Sequence, residues 1–267
     1  MKKTVLALFV ALAATTNVTA QVDSRLFNHL SVALNVGTTG IGADVSVPCT
    51  RFLDFEAGFS IVPKIKYNTN LHLNTSTYLD ATNLPVNVGL SSIPIQGKAN
   101  MVNGKFMINC YPFGVTSFHV TVGAFFGKGD VVEVYNTIPG QLSPINNANA
   151  AIAYANQTTG IYQEPIGLKL GDYLLTPDAN GNARATFKTK GFKPYVGLGF
   201  GRGVPKRRLG FKFDLGAMFW GSPEIIDHNG VSLSKQPWGG KDGGALRVVS
   251  KIKVYPVLNF RLSGKIF

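Results

Sequence analysis

Eight charged residues stand at alternate positions in otherwise apolar or glycine-rich runs: Asp44, Asp54, Glu56, Lys105, Lys193, Lys212, Asp214 and Arg261. In an enclosed interior such residues either neutralise one another or line a passage or ligand site. Their mixed signs favour the first, a structural salt-bridge network, because an unpaired buried charge costs several kcal/mol. Other candidates for chemistry are weaker. Ser117 and His119 share a strand face, being two apart, but no acid is fixed beside them by sequence. Asp178, Asn180 and Asn182 mimic the start of a calcium loop, yet Gly181 comes too early and Thr189 stands where a glutamate is needed. A tight turn is the expectation there. His29, His72, His119 and His228 are scattered and form no metal spacing. The glycines at 197, 199 and 201 are not a phosphate loop, since no helix follows them. No catalytic, metal or cofactor site is expected.

The elements that carry the eight charges are strands. Residues 192–220 read as two strands joined by a basic turn at 203–207. Phe192, Val196, Leu198 and Phe200 alternate with Lys193, Tyr195, Gly197 and Gly199, and Leu209, Phe211, Phe213 and Leu215 with Gly210, Lys212 and Asp214. Period-two alternation puts oil on one face and charge or glycine on the other, as in a strand of a transmembrane barrel. Similar alternation marks strands near 30–36, 41–47, 53–61, 98–111 and 118–127, and a last one from about 247 to 267, giving eight. Residues 63–97, 130–191 and 221–245 read as long polar loops. Within the second of these, 131–135 and 183–190 could extend the neighbouring strands beyond the membrane. Ile145, Ala148, Ile152 and Ala155 have helical spacing. A ten-stranded barrel that recruits part of 130–191 is the alternative.

Residues 1–20 read as a secretory signal peptide: Lys2 and Lys3, an apolar run at 5–14, and Val18-Thr19-Ala20 before the cleavage point. No later run is apolar and long enough for a spanning helix. Charged residues are few, at 15%, which suits a lipid-facing belt. With the N-terminus in the periplasm, the turns at 48–51, 112–117 and 203–207 fall inside and all three long connections outside, the loop pattern of outer-membrane barrels. Phe52, Tyr111, Phe113 and Phe118 at the inner side, and Phe219 and Trp220 at the outer, are candidates for interfacial girdles. Lys206, Arg207 and Arg208 at the third inner turn either meet anionic headgroups or form a solvated turn. Export and the lack of basic–aromatic interleaving argue against nucleic acid as a partner.

The runs GFKPYVGLGFGRGVPKRRLGFKFDLGAMFWGSPEI (191–225) and VYPVLNFRLSGKIF (254–267), with NCYPF (109–113) and GDYLLTPDANGNARATFKTKGFKPY (171–195), resemble a family of small outer-membrane β-barrel proteins of Gram-negative bacteria, of the type found in Bacteroidales. The resemblance implies an all-β, eight-stranded antiparallel transmembrane barrel in the bacterial outer membrane, and no catalytic residues. The expected function is structural or surface-interacting, with a small pore or solute-binding protein as the alternative and a lipid-modifying enzyme behind both. Expected partners are outer-membrane lipids, the barrel-assembly machinery during biogenesis, and an external partner met by the long loops. Phe267 ends the chain in the phase of Lys265, so either the last residues bulge or the assembly signal is a variant. Cys49 and Cys110, near the inner rim in an oxidising compartment, are a possible disulfide. The lipid-facing phase of Cys110 favours two free thiols.

Overall fold

A computed structural model describes residues 29–73, 92–160, 162–170, 173–228, 230, 232–233 and 251–266. The signal-peptide reading of 1–20 and the phase of Phe267 lie outside these residues. Eight strands close into an antiparallel barrel: β1 (Ser31–Gly37), β2 (Gly40–Pro48), β3 (Leu53–Ile61), β6 (Val102–Cys110), β7 (Phe118–Gly127), β12 (Phe192–Gly201), β13 (Leu209–Phe219) and β15 (Val254–Lys265). Closure runs through β1, which pairs with both β2 and β15. Alternation decides which side chains go where. Val32, Leu34 and Val36 of β1, Leu198 and Phe200 of β12, and Phe211 and Leu215 of β13 are exposed on the outside, while their sequence neighbours point in. A belt of exposed aliphatic and aromatic side chains round a wall with no free edge is the arrangement that satisfies every backbone group in lipid.

The sequence leaves three long loops, and the structure fills them with a second sheet. Its strands are β4 (Lys66–His72), β5 (Ser92–Ala99), β8 (Asp130–Asn136), β11 (Arg184–Lys188) and β14 (Glu224–Ile226), in the order β14-β11-β8-β5-β4. Each is the upward continuation of a barrel strand, because the barrel order below them is β13-β12-β7-β6-β3. The ladder carries across the junction: Val62 N–H donates to Met101 O at 2.9 Å, Gly127 N–H to Gly191 O at 3.0 Å, and Lys190 N–H to Trp220 O at 3.0 Å. Residues 131–135 and 184–188 therefore pair with each other as β8 and β11. The expected strand at 98–111 is two, β5 and β6, broken at Asn100 and Met101. The last barrel strand begins at Val254 and not near 247. The ten-stranded alternative fails, since the extra strands join the upper sheet and the barrel closes at eight.

A helix, α1 (Ser143–Thr159), ends on Gly160 in the left-handed conformation and buries Ile145, Ala148, Ile152 and Ala155, the four residues with helical spacing. Ile145, Ala148 and Ile152 pack in one cluster with Ile93 and Ile95 of β5, Ala185 of β11 and Ile225 of β14. A small hairpin, β9 (Leu168–Leu170) and β10 (Tyr173–Leu175), joins this head. Asp178 makes the expected turn, accepting from the N–H groups of Asn180 and Asn182 at 2.9 and 2.8 Å.

The aromatic girdles also differ in part from the expectation. Tyr111 and Trp220 are buried inside, whereas the expected Phe113 and Phe118 are in contact at the inner side, where Phe118 also meets Phe200, and the expected Phe219 is exposed. Phe126 and Phe192 pair at the outer side.

Leu198 sits in the middle of β12 with 54% of its surface exposed. Leu198→Arg is expected to lower unfolding stability in liposomes by about 2–4 kcal/mol, the cost of a cation on the lipid face near the midplane. Tyr154→Arg, on the exposed side of α1, is expected to leave it within about 0.5 kcal/mol in the same urea titration.

Candidate functional site

An eight-stranded barrel is only wide enough for its own side chains, so the interior is a stack of filled layers. At the inner end Asp54 accepts from Asn109 at 2.5 Å, from the Tyr111 hydroxyl at 2.5 Å and from Gly203 N–H at 3.2 Å. Arg202 lies over the Tyr111 ring, 4.8 Å from its centroid, and its guanidinium donates to Gly114 O.

The middle layer is ionic. Glu56 on β3 meets Lys212 of β13 at 2.9 Å, Lys105 of β6 at 3.0 Å and Arg261 of β15 at 3.8 Å. Asp44 on β2 meets Lys105 at 2.9 Å and Arg261 at 3.3 Å, and Asp214 meets Lys212 at 3.4 Å. Three carboxylates thus face three cations drawn from five strands, and all six side chains are buried, Arg261 with 1% exposure. Asn35 and Asn109 add hydrogen bonds to Asp44 and Lys212 at 2.8 and 2.9 Å. The remaining space is about 20 Å³, one water's worth.

The structure therefore brings together six of the eight charges singled out in the sequence, with Asp54 and Lys193 in other layers. Asp54 is held by the neutral donors at the inner end. Lys193 lies toward the outer mouth, donating to Asn103 at 2.8 Å and to Lys128 O at 3.5 Å. Its place follows from its position at the outer end of β12, as the second residue of that strand.

His119 was not among the eight, although it belongs to this layer. Its Nε2 is 2.7 Å from Asp214, and its Nδ1 faces the carbonyl of Ser117 at 3.2 Å, so no serine hydroxyl is activated. The space beside the inward glycines is filled mostly by side chains other than Lys and Arg. A Cβ at Gly199 would strike His119 and Asp214, and one at Gly197 or Gly216 would strike the Tyr195 ring or hydroxyl; only at Gly201 is the occupant Lys212. Cys49 and Cys110 are both free thiols. Cys49 N–H bonds Leu53 O on one side, and Cys110 is paired with Leu53 on the other. With β3 between them the two backbones are about 9–10 Å apart at sheet spacing, beyond disulfide reach.

Above the ions comes an apolar layer of Met107, Phe125, Tyr195, Met218 and Val257, capped by Trp220. Above that again is a vestibule of about 410 Å³. Its walls include Val62, Met101, Val132, Val134, Phe187 and Ile225, and its floor Trp220 and Tyr255. Val134, Ala185, Phe187 and Ile225 also belong to the cluster under α1, so the helix core forms the roof. This is the larger candidate site, and sequence reasoning missed it. The alternation of Val132 and Val134 is visible, but the cavity exists only because β8, β11 and β14 stand over the barrel rim.

No protein-family model matches the chain, and no curated protein does. Solved structures similar to the chain include two from Acinetobacter baumannii. CarO2 aligns with a TM-score of 0.45 at 14% identity, over 89% of this chain and 98% of its own. CarO aligns with a TM-score of 0.41 at 13% identity, over 88% and 96%. The likeness is too distant to bear on function.

Removing Glu56 leaves three cations without their shared partner. Glu56→Ala is expected to destabilise the folded barrel by about 3–5 kcal/mol. Glu133→Ala removes a partner of Arg184 at 3.8 Å on the head surface and should cost less than about 1 kcal/mol. Urea titration followed by the folded-band shift on unheated gels separates the two.

Proposed function

We propose that this chain is an outer-membrane barrel of a Gram-negative cell that binds at the outer surface and passes nothing through its lumen. The observation that carries the reading is the stack of filled layers: a neutral hydrogen-bonded inner end, a balanced ionic middle and an apolar cap. The exposed apolar belt and closed wall support insertion in a bilayer, and the signal-peptide reading of residues 1–20 supports export to the barrel-assembly machinery. Kinship with Bacteroidales-type barrels rests on the sequence motifs alone. The head makes the outer face the functional one. It contains α1 and five strands with their own core, more structure than is needed to connect barrel strands. An external partner would meet this head, and outer-membrane lipids would meet the belt.

The reading does without catalysis. Ser117 and His119 do not form a nucleophile–base pair, and His119 is enclosed with Asp214. Solute binding, the alternative to a purely structural or protein-binding role, is favoured by one observation, the 410 Å³ vestibule.

In planar bilayers the purified protein is expected to give no conductance above background. Reproducible stepwise openings at neutral pH would contradict the closed-lumen reading.

A further inference from the structure

The head stands on only five of the eight barrel strands. Among the described residues nothing continues β15, β1 and β2 upward, so the upper sheet is an open wall whose gap lies over the β1–β2 turn at Thr38 and Thr39. Thr38 lines the vestibule, as do Val62 at the top of β3 and Tyr255 at the top of β15. Among the described residues no strand covers the cavity on this side.

Register sets the height of the gap. Gly37, the last residue of β1, is paired with Asn259, whereas the β13–β15 ladder continues five residues further, to Phe219 opposite Val254. That is about 16 Å of additional strand. Its outward side chains remain apolar, with Phe219 and Val254 exposed. The lipid-facing belt on β13 and β15 therefore rises past the turn, and the gap lies beside hydrocarbon.

The flanks of the gap carry the same three residues. Lys64-Ile65-Lys66 leads away from Val62, and Lys251-Ile252-Lys253 leads into Tyr255. All six are exposed, including Ile65 at 64% and Ile252 at 45%. No Asp or Glu lies in residues 62–66 or 251–255. Lys66 is directly opposite Lys98 in the β4–β5 ladder, and Lys98 is in turn opposite Glu133 of β8. Exposed isoleucines suit acyl chains, and lysines reaching past them suit a negative headgroup.

We propose that the vestibule takes the tail of a single-chain anionic amphiphile, such as a fatty acid, which enters from the bilayer over the β1–β2 turn and leaves its charged end among Lys64, Lys66, Lys251 and Lys253. The proposal rests on the reading of the head as the binding face and names the ligand class of that site.

Trp220 on the cavity floor is a native reporter. With Trp238→Phe it is the sole tryptophan of the chain. The full-length protein in detergent micelles is titrated with dibrominated stearate, whose bromines quench tryptophan on contact. Saturable quenching at about one ligand per chain is expected, with none from unbrominated stearate. Dibrominated stearyl alcohol, the neutral analogue, should bind at least about tenfold more weakly. Changing all four lysines to Gln should bring the acid down to the alcohol's affinity while the folded-band shift is retained. Ala99→Phe, at the cavity wall, should abolish quenching in a protein that still shows that shift.

Non-saturating quenching, or equal affinity for acid and alcohol, would overturn the proposal, as would dibrominated phosphatidylglycerol quenching as tightly as the free acid. If quenching is absent and the protein also conducts no ions, this inference fails while the closed-barrel reading stands. Ion conductance would remove that reading whatever the tryptophan shows.

Discussion

Charge neutrality inside a narrow barrel is the constraint on which the rest of this structure depends. A strand pair can bury a charge only if another strand supplies its counter-ion, and here the partners are far apart in sequence: Glu56 with Lys212, and Asp44 with Arg261. Every ionic contact of the layer except Lys212–Asp214, which lies within β13, ties different strands together. A slip of one residue in any of them would turn its charge into lipid and an apolar residue into the lumen. The network is therefore better understood as fixing register and sealing the interior than as a large source of stability, since desolvation offsets much of the Coulombic gain. The inward glycines belong to the same arrangement, as Gly199 leaves the space in which His119 meets Asp214.

Sealing the lumen moves any function outward. The barrel extends five of its strands past the rim without breaking their order, so the head inherits the curvature and the inward face of the barrel below. Inward positions turn apolar with height: ions around Glu56, then Phe125 and Met218, then Val132 and Val134. A dry interior surface continuing above the ionic layer needs a cover. The α1 cluster supplies it at the top, while among the described residues no strand stands above β1 and β2.

Much of the barrel was legible in the sequence because alternation is a local signal. Phe211, Phe213 and Leu215 against Lys212 and Asp214 declare both strand and face, and six of the eight charges so identified meet in one layer. The head was not legible for a physical reason. Its strands β4 and β14 are polar or short, and what defines them is hydrogen bonding to partners such as β5 and β11 that lie far off in the chain. Sequence alternation gives a residue's face but not its height, which is why Lys193 and Asp54 were grouped with ions they do not meet. Tyr111 and Trp220 were misplaced by the same gap, since an aromatic near a strand end can face lipid or turn in. Cys49 and Cys110 looked like neighbours until register put β3 between them.

The central claim is that the ionic layer is closed to solvent while the vestibule above it is open. Cysteine accessibility tests this directly, in a background with Cys49→Ser and Cys110→Ser. Thr121→Cys lies in the ionic layer and Val134→Cys in the vestibule wall. In the folded protein a charged methanethiosulfonate should modify the second and leave the first untouched until the barrel is unfolded. Modification of Thr121→Cys in the folded state, at a rate comparable with Val134→Cys, would contradict the account.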